Sequence, residues 1–193
     1  MNDSAVRAPA ALERLTDDTQ RLGFTLASEP RTGAVLRVLA ASKPGGRLLE
    51  LGTGTGVGTA WLLDGMDRDA RLLSIDTEAP VQAVARRHLG DDPRVTFQLG
   101  HGGAFLEQAS AQTFDLIYAD AWPGKFTHLD EALSLLTIGG MYLVDDLLPQ
   151  PNWPVEHAPR VPVLIDRLRN RPGFVEVTLA WSSGLMLLVR VGS

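Results

Sequence analysis

Three aspartates stand at the ends of two short apolar runs of the sequence. Asp120 closes FDLIYAD, and Asp145 and Asp146 close MYLVDD. If these runs are neighbouring parallel strands, their carboxyl ends open on one crevice, where such sheets bind ligands. Carboxylates that meet there repel each other, and their oxygens suit Mg²⁺, Ca²⁺ or Mn²⁺. We therefore expect a divalent cation, or the substrate itself, on the three aspartates. The alternatives are that Asp120 orders a neighbouring loop and that Asp145 or Asp146 caps a turn.

A glycine-rich stretch, LLELGTGTGVGTAWL at residues 48–62, forms a second candidate site. Its glycines are Gly52, Gly54, Gly56 and Gly58. A strand that runs into glycines and then opens a helix indicates a turn that a ligand approaches closely. The spacing does not match the dinucleotide fingerprint G-x-G-x-x-G, because Val57 and Thr59 stand where its last glycine would fall. A pyrophosphate therefore fits poorly, and the alternative is a bare tight turn.

Two acidic residues flank this loop. Glu50 precedes it and would repel a phosphate, whereas a cationic amino acid ligand or an ordered backbone network would suit it. Asp76 closes the next apolar run, RLLSID, where a carboxylate can accept both ribose hydroxyls of a nucleoside. Asp76 does not distinguish a nicotinamide dinucleotide from other nucleoside cofactors, and a solvated carboxylate at a strand end is the alternative.

The elements that must position these residues alternate along the chain. We predict strands at 47–51, 71–76, 95–100, 114–120 and 141–146, followed by a hairpin of strands 174–180 and 185–191. We predict helices at 5–22, 29–41, 59–66, 80–90, 103–110, 127–136 and 163–170. This order predicts an α/β fold: a doubly wound, Rossmann-like sheet of about seven strands, five of them parallel, with a C-terminal antiparallel hairpin. Residues 1–193 form one domain in this prediction, with a helical cap at 1–45 and a core at 46–193.

Composition excludes several classes of function. The 193 residues carry a net charge of −5, which disfavours a nucleic-acid partner and leaves a small molecule as the expected one. The chain has no cysteine, so thiolate chemistry, zinc–thiolate sites and disulfides are excluded. No apolar run reaches the length of a membrane span and no signal-peptide core is present, so we expect no membrane association and a cytoplasmic location.

The string ELGTGTGVGTA followed by SID resembles the first two motifs of class I S-adenosylmethionine-dependent methyltransferases. Within that class the chain is similar, from about Ser28 to its C-terminus, to the small metal-dependent O-methyltransferases of the catechol and caffeoyl-CoA types. The resemblance implies S-adenosyl-L-methionine as cofactor, an adenine pocket at LGHGGAFL (99–106) and a covering segment at 27–36. The residues expected to hold the cofactor are Glu50, Gly52, Gly54, Gly56, Gly58, Asp76, Gly100, His101, Gly102, Gly103, Asp120 and Trp122, with Ser28, Arg31 and Gly33 as weaker candidates.

The resemblance also assigns a metal. In that family, an aspartate at the position of Asp120 and an Asp-Asn pair at 145–146 coordinate a divalent cation, which binds the substrate hydroxyls and lowers their pKa. Two departures stand out, since Asp146 replaces the asparagine and Pro123 replaces the catalytic lysine. Lys125 lies close by and is one candidate for the base. His157, in the proline-rich stretch 147–157, is another.

We therefore expect methyl transfer to an oxygen of a small-molecule acceptor, catalysed with the help of Asp120, Lys125 or His157. One alternative is a nicotinamide-dependent oxidoreductase, which the glycine spacing and the hairpin disfavour. Another is a non-catalytic cofactor-binding regulator, which Pro123 favours. A methyltransferase acting on nucleic acid is disfavoured by the acidic balance. The resemblance further implies a homodimer, for which the leucine face of the first helix is a candidate contact. Trp153 is expected to be either a wall for the substrate or a dimer contact.

Overall fold

A computed structural model describes residues 7–192 of the chain. Its strands are β1 Arg47–Leu51, β2 Arg71–Asp76, β3 Val95–Leu99, β4 Phe114–Ala119, β5 Leu136–Val144, β6 Phe174–Leu179 and β7 Leu185–Arg190. Its helices are α1 Leu12–Leu22, α2 Pro30–Ala41, α3 Val57–Gly65, α4 Ala79–Leu89, α5 Gly102–Gln108, α6 Trp122–Lys125, α7 Leu129–Ser134 and α8 Val161–Leu168, and a 3-10 turn at Ala158–Arg160 precedes α8.

The seven strands form one sheet in the order β3-β2-β1-β4-β5-β7-β6. Strands β1 to β5 pair in parallel, while β7 runs antiparallel to both β5 and β6. The predicted fold class is therefore confirmed. The chain order reverses between β1 and β4, and a crevice at the carboxyl ends of strands opens at such a reversal.

Successive residues of the central strands point to opposite sides of the sheet, and each side has its own apolar core. On one side, Ile117 of β4 packs with residues of α5, α7 and α8. On the other side, Leu116 and Tyr118 pack with Leu15 of α1 and with residues of α2, α3 and α4, including the buried Trp61. The alternation in β1 turns Leu48 toward this second layer, and Glu50 follows two residues later on the same face.

Polar side chains interrupt this second face in one row across the sheet. Glu50 pairs in register with Ser74 of β2 on one side and with Tyr118 of β4 on the other. All three are fully buried. Burying a carboxyl, a hydroxyl and a phenol together costs free energy unless each finds a hydrogen-bond partner. This row therefore marks where the sheet serves a purpose other than packing.

Several predicted boundaries were wrong. Strand β5 begins at Leu136 rather than at residue 141, because Gly139 and Gly140 lie inside it and not in a turn before it. The pairing of β4 with β5 shifts register there, as at a β-bulge, and Gly139 has a φ of +79°. Helix α6 was not predicted, since Pro123 and Gly124 disfavour helix and their angles are indeed non-helical. The first helix begins at Leu12, and residues 5 and 6 of its predicted span lie outside the described residues.

The leucine face of α1 is largely used inside the chain. Leu15 has no exposed surface and lies in the same core cluster as Trp61, with Leu12 packed against it. The suggestion that this face contacts a partner was therefore wrong for Leu15, because the helix covers α3 and α4 of its own chain. Leu22, at the end of the helix, remains 44% exposed. Between residues 7 and 192 no helix has both the length and the apolar character needed to cross a membrane.

We expect Gly33→Ala to destabilise the chain. A Cβ at Gly33 would lie 2.3 Å from the indole of Trp61, which is buried and has no room to move. Overpacking of this kind costs about 1–3 kcal/mol of unfolding free energy, although alanine favours the helix itself. Urea unfolding measures the change, with Val38→Ala on an exposed position of the same helix as control. A Gly33→Ala variant as stable as the control would contradict the packing described.

Candidate functional site

A cavity of about 430 Å³ opens at the carboxyl ends of the central strands. Its walls come from the glycine loop after β1, the end of β2, the turn between β3 and α5, the segment after β4, and the stretch Phe24–Ser28. The residues predicted to hold a cofactor that line it are Ser28, Gly52, Gly54, Gly58, Asp76, Gly100, His101, Gly102, Asp120 and Trp122. The cavity is therefore lined by residues of the glycine loop, by carboxylates at strand ends and by the covering segment.

The glycine loop needs its glycines for conformation and for space. Gly52, Gly54 and Gly56 all have positive φ, at +99°, +54° and +92°, which other residues rarely adopt. A Cβ at Gly52 would lie 2.7 Å from the carbonyl oxygen of Asp120, and one at Gly56 would lie 2.7 Å from Ala85. Gly56 does not line the cavity; it lets the loop pack on α4. The loop therefore exposes its backbone to the cavity on one side and packs against α4 on the other.

Asp76 is fixed at the end of β2 by the backbone. Its Oδ2 accepts a hydrogen bond from the amide of Gly54 at 2.8 Å, and its Oδ1 accepts one from the amide of Glu78 at 2.8 Å. Each carboxylate oxygen has a second lone pair and can accept another hydrogen bond. The two oxygens thus present a fixed pair of acceptors on the cavity wall, which is the arrangement that binds a pair of vicinal hydroxyls.

Glu50 lies beneath the loop with one oxygen satisfied and one free. Its Oε2 accepts hydrogen bonds from the hydroxyls of Thr59 and Ser74, each at 2.5 Å. Its Oε1 is buried and finds no hydrogen-bond donor within residues 7–192. A Cβ at Gly58, which lines the cavity, would lie 2.8 Å from this Oε1. Because glycine has no side chain, the carboxyl lies directly behind the cavity wall.

Burial raises the pKa of Glu50 to about 7, against the opposing hydrogen bonds from Ser74 and Thr59. Without a ligand, the carboxyl therefore gains stability by holding a proton near neutral pH. A cationic group at Gly58 would satisfy the free oxygen and favour the ionised form.

The turn after β3 contributes a flat wall. His101 caps helix α5, its Nδ1 accepting a hydrogen bond from the amide of Gly103 at 3.1 Å. Gly102 lines the cavity, and a Cβ there would meet the ring of Pro123 at 3.3 Å. Gly103, expected in the same pocket, faces away from it, toward the ring of His128. Pro123 is thus part of the cavity wall. The residue that replaces the lysine of the resembling family therefore has a packing role here.

The sequence did not identify most of the covering segment. Phe24 and Leu26 line the cavity, and the Phe24 ring lies 3.3 Å from where a Cβ of Gly54 would stand. Of the weaker candidates, Ser28 lines the cavity, whereas Gly33 packs on Trp61 and Arg31 lies over the Trp181 ring. Gly23, in a left-handed conformation after α1, was the available signal that the chain turns back here.

A second, smaller cavity of about 50 Å³ adjoins the first and carries the aspartates. The two cavities share Ser28 and Asp120 as lining residues, and Asp145 and Asp146 line only the smaller one. The sequence-based expectation that the three aspartates meet at one edge of the sheet thus agrees with the geometry. Even so, no three His, Cys, Asp or Glu side chains in the described part of the chain are placed to hold one metal ion.

Hydroxyl groups connect the aspartates. The Ser28 hydroxyl donates to Asp120 Oδ2 at 3.3 Å and lies 3.2 Å from the Tyr118 hydroxyl. The Tyr118 hydroxyl donates to Asp145 Oδ2 at 3.0 Å, and Asp145 Oδ1 accepts from the hydroxyl of Ser183 and, at 2.7 Å, from the amide of Asp146. Burial is the main cause of the raised pKa values of Asp120 and Asp145, and Lys125 opposes the shift in both.

The two predicted bases lie in different surroundings. The Lys125 ammonium is 4.0 Å from Asp120 Oδ1 and 3.7 Å from Asp146 Oδ2. The His157 ring stacks on Trp153 with centroids 4.2 Å apart, and its Nε2 is 3.1 Å from the carbonyl oxygen of Asp146. His157 lines neither cavity, and burial lowers its pKa. Trp153 lines the smaller cavity, as expected of a wall for a substrate.

Comparison with known proteins gives this geometry a context. A family profile described as a methyltransferase domain matches residues 49–147. A proposed O-methyltransferase of Mycolicibacterium vanbaalenii is 35% identical over 140 residues, which cover 70% of this chain and 60% of that protein. One of Mycolicibacterium smegmatis is 35% identical over 120 residues, which cover 60% of this chain and 57% of that protein. The chain thus spans less than two thirds of the length of these curated relatives.

Solved structures share the fold over nearly the whole chain. A proposed O-methyltransferase from Klebsiella pneumoniae has a TM-score of 0.83 at 25% identity, covering 98% of this chain and 93% of that one. The O-methyltransferase TomG from Streptomyces achromogenes, involved in tomaymycin synthesis and solved in complex with SAM, has a TM-score of 0.82 at 23% identity, with 98% and 93% covered.

Replacing Glu50 by glutamine should stabilise the ligand-free chain in a pH-dependent way. The folded carboxyl has a pKa of about 7 and the ordinary value is 4.5, so wild type loses stability as pH rises through this window and glutamine does not. The variant's advantage should grow by up to about 3 kcal/mol between about pH 5 and about pH 8. Urea unfolding at both pH values measures it, with the exposed Glu176→Gln as control. An equal difference at both pH values would contradict the assignment.

Proposed function

Because the chain belongs to the methyltransferase domain family, we propose that it transfers a methyl group from S-adenosyl-L-methionine to an oxygen of a small-molecule acceptor. The observation that carries the proposal is a pair of carboxyls at one cavity: Asp76 on its wall, and Glu50 buried beneath Gly58, which lines it. Asp76 presents two acceptors for ribose hydroxyls. The Oε1 of Glu50 lies beneath Gly58 without a donor and can accept a hydrogen bond from a cationic group. A nucleoside joined to an amino acid has a partner for each carboxyl: ribose hydroxyls for Asp76 and an ammonium for Glu50.

The other residues that line the cavity fit the base and the carboxylate of such a cofactor. The turn Gly100–Gly102 and the rings of Trp122 and Pro123 offer flat, closely approachable surfaces for a base. The amino end of α3 follows the glycine loop, and its unpaired amides and partial positive charge favour a carboxylate. Among residues 7–192, no lysine or arginine side chain lines the cavity, as a pyrophosphate would favour. The set therefore favours a sulfonium nucleoside over a dinucleotide.

When bound, S-adenosyl-L-methionine supplies a methyl group on a sulfonium, which an acceptor oxygen attacks in line while the sulfur keeps the electron pair. The chain's part is to align the acceptor and remove its proton. Asp120 lines both cavities, so it borders the cofactor on one side and the acceptor on the other. Asp120 is therefore the group we assign to take the acceptor's proton, with Ser28 fixing its second oxygen.

The acceptor is a small molecule in this proposal, and it enters over the smaller cavity. Besides the aspartates, Gln150, Asn152 and Trp153 line that cavity, all from the proline-rich stretch after β5. The Asn152 amide donates to the carbonyl of Thr25 at 2.7 Å, which ties this stretch to the segment covering the cofactor. His157 positions the same stretch through its contact with the Asp146 carbonyl rather than acting as the base.

Isothermal titration calorimetry tests the cofactor. Wild type should bind S-adenosylhomocysteine and not NAD. Asp76→Ala should weaken S-adenosylhomocysteine binding by about 10- to 100-fold, because it removes hydrogen bonds to a charged acceptor. Asp69→Ala, on an exposed turn, is the matched control and should bind like wild type. Binding of NAD alone would overturn the proposed function.

Methyl transfer itself is measured as release of S-adenosylhomocysteine over a panel of phenols and other small alcohols. Asp120→Asn should lower kcat by about 100-fold or more, as loss of a general base does, while S-adenosylhomocysteine affinity stays within a few-fold. A wild-type chain that binds the cofactor and methylates nothing in the panel would favour the non-catalytic regulator. An Asp120→Asn variant with unchanged kcat would remove Asp120 from the base's role.

A further inference from the structure

A buried ammonium occupies the aspartate cluster. The Lys125 side chain is only 2% exposed, and its Nζ lies 3.7 Å from Asp146 Oδ2 and 4.0 Å from Asp120 Oδ1. A lysine ammonium is seldom buried unless carboxylates pair with it. The two carboxylates that approach it belong to two different strand ends, so Lys125 joins the termini of β4 and β5.

The backbone holds Lys125 in this place. Gly124 has a φ of +87°, and a Cβ there would lie 2.5 Å from Leu51, so the turn requires glycine. The Gly124 amide donates to the carbonyl of Thr127 at 2.7 Å, and its own carbonyl accepts from the buried Tyr142 hydroxyl. A lysine carried by so constrained a turn enters the cluster as a built feature of the fold rather than as a mobile surface side chain.

The third aspartate is already satisfied by donors of the chain. Asp145 accepts three hydrogen bonds, from the Tyr118 hydroxyl, the Ser183 hydroxyl and the Asp146 amide. A metal ligand needs a free lone pair directed at the ion, and both lone pairs of Asp145 Oδ1 and one of Oδ2 are already directed at these donors. Asp146 stands with φ +62°, a left-handed conformation in which its Oδ2 faces Lys125.

The donor set therefore does not fit the divalent cation expected from the sequence. Two of the three aspartates share an ammonium, and the third accepts three hydrogen bonds from two hydroxyls and an amide. A dication held by Asp120 and Asp146 would lie close to the buried Lys125 ammonium, which is 4.0 Å and 3.7 Å from their oxygens, and the like charges would repel. The geometry points to Lys125 as the resident cation of this cluster, taking the place that a divalent metal would hold.

This inference rests on the proposed function and deepens it. A metal chelates two neighbouring hydroxyls in a fixed geometry, whereas an ammonium has three separate N–H donors and requires no chelating pair. Methyl transfer by this chain then needs no metal, and an acceptor with one hydroxyl suffices. Lys125 lines neither of the two cavities and acts as a positioning group that holds Asp120 and Asp146, and the proton goes to Asp120. The expectation that Lys125 is itself the base is replaced.

Manganese binding, followed by electron paramagnetic resonance on protein freed of metal with EDTA, tests the inference. Wild type should show no stoichiometric Mn²⁺ site, and its Tm should be the same in MgCl₂ and in NaCl of equal ionic strength. Lys125→Met leaves the carboxylates without their cation. It should melt earlier and bind Mn²⁺ more tightly than wild type by about an order of magnitude or more, with Mg²⁺ restoring part of its Tm.

The chain offers a matched control, because it has two lysines. Lys43→Met removes the other one, whose Nζ bonds the carbonyl of Gly139 far from the cluster, and should stay indifferent to Mn²⁺. If Lys125→Met does not fold, the double variant Lys125→Met/Asp146→Asn carries one less unpaired carboxylate and should bind Mn²⁺ in its place. Lys125→Arg keeps the charge and should bind none.

Two results would overturn the inference. The first is a stoichiometric Mn²⁺ site and a raised Tm in wild type. The second is a Lys125→Met chain, or the double variant, that folds and still binds no Mn²⁺, since the cluster would then be no place for a cation. Both readings are independent of S-adenosylhomocysteine. A failure of cofactor binding therefore contradicts the proposed function without deciding the cation, and the reverse holds as well.

Discussion

Carboxyl groups buried at the carboxyl ends of β1, β4 and β5 are the constraint to which the rest of the site responds. Glu50 and Asp145 are removed from water and Asp120 is only 14% exposed, so each must be satisfied by groups that the fold brings to it. The chain meets this demand with one ammonium and with five hydroxyls, those of Ser28, Thr59, Ser74, Tyr118 and Ser183. The Oε1 of Glu50 has no hydrogen-bond donor within residues 7–192, and a bound ligand can supply one.

This arrangement separates two tasks that lie only a short distance apart. The cavity around the glycine loop is walled by backbone, small residues and rings, which suits a nucleoside held by shape and by Asp76. The adjoining cavity is small and polar, which suits the reacting end of an acceptor. Asp120 lies on the boundary between them, so one carboxylate can respond to both ligands.

Sequence patterns predicted the scaffold because buried strands are continuous apolar runs, and β1 and β2 begin and end where those runs do. The start of β5 was missed because Gly139 and Gly140 are typical of a turn, and only the bulge in the folded sheet keeps them inside the strand. The contacts of Lys125 could not be predicted either. They depend on the positive φ of Gly124 and on the Tyr142 hydroxyl, which no local spacing reveals. Phe24 and Leu26 reach the cavity through tertiary folding of a loop, which has no periodic signal.

The central claim is that the chain satisfies its own carboxylates and leaves only the cofactor and the acceptor to be bound. A crystal structure with S-adenosylhomocysteine, grown in MnCl₂ and measured at the manganese absorption edge, tests it most directly. The account predicts ribose hydroxyls on Asp76, an amino group beside Gly58, and Lys125 between Asp120 and Asp146 with no anomalous peak there. An anomalous peak among the aspartates, with the Lys125 ammonium displaced, would contradict it.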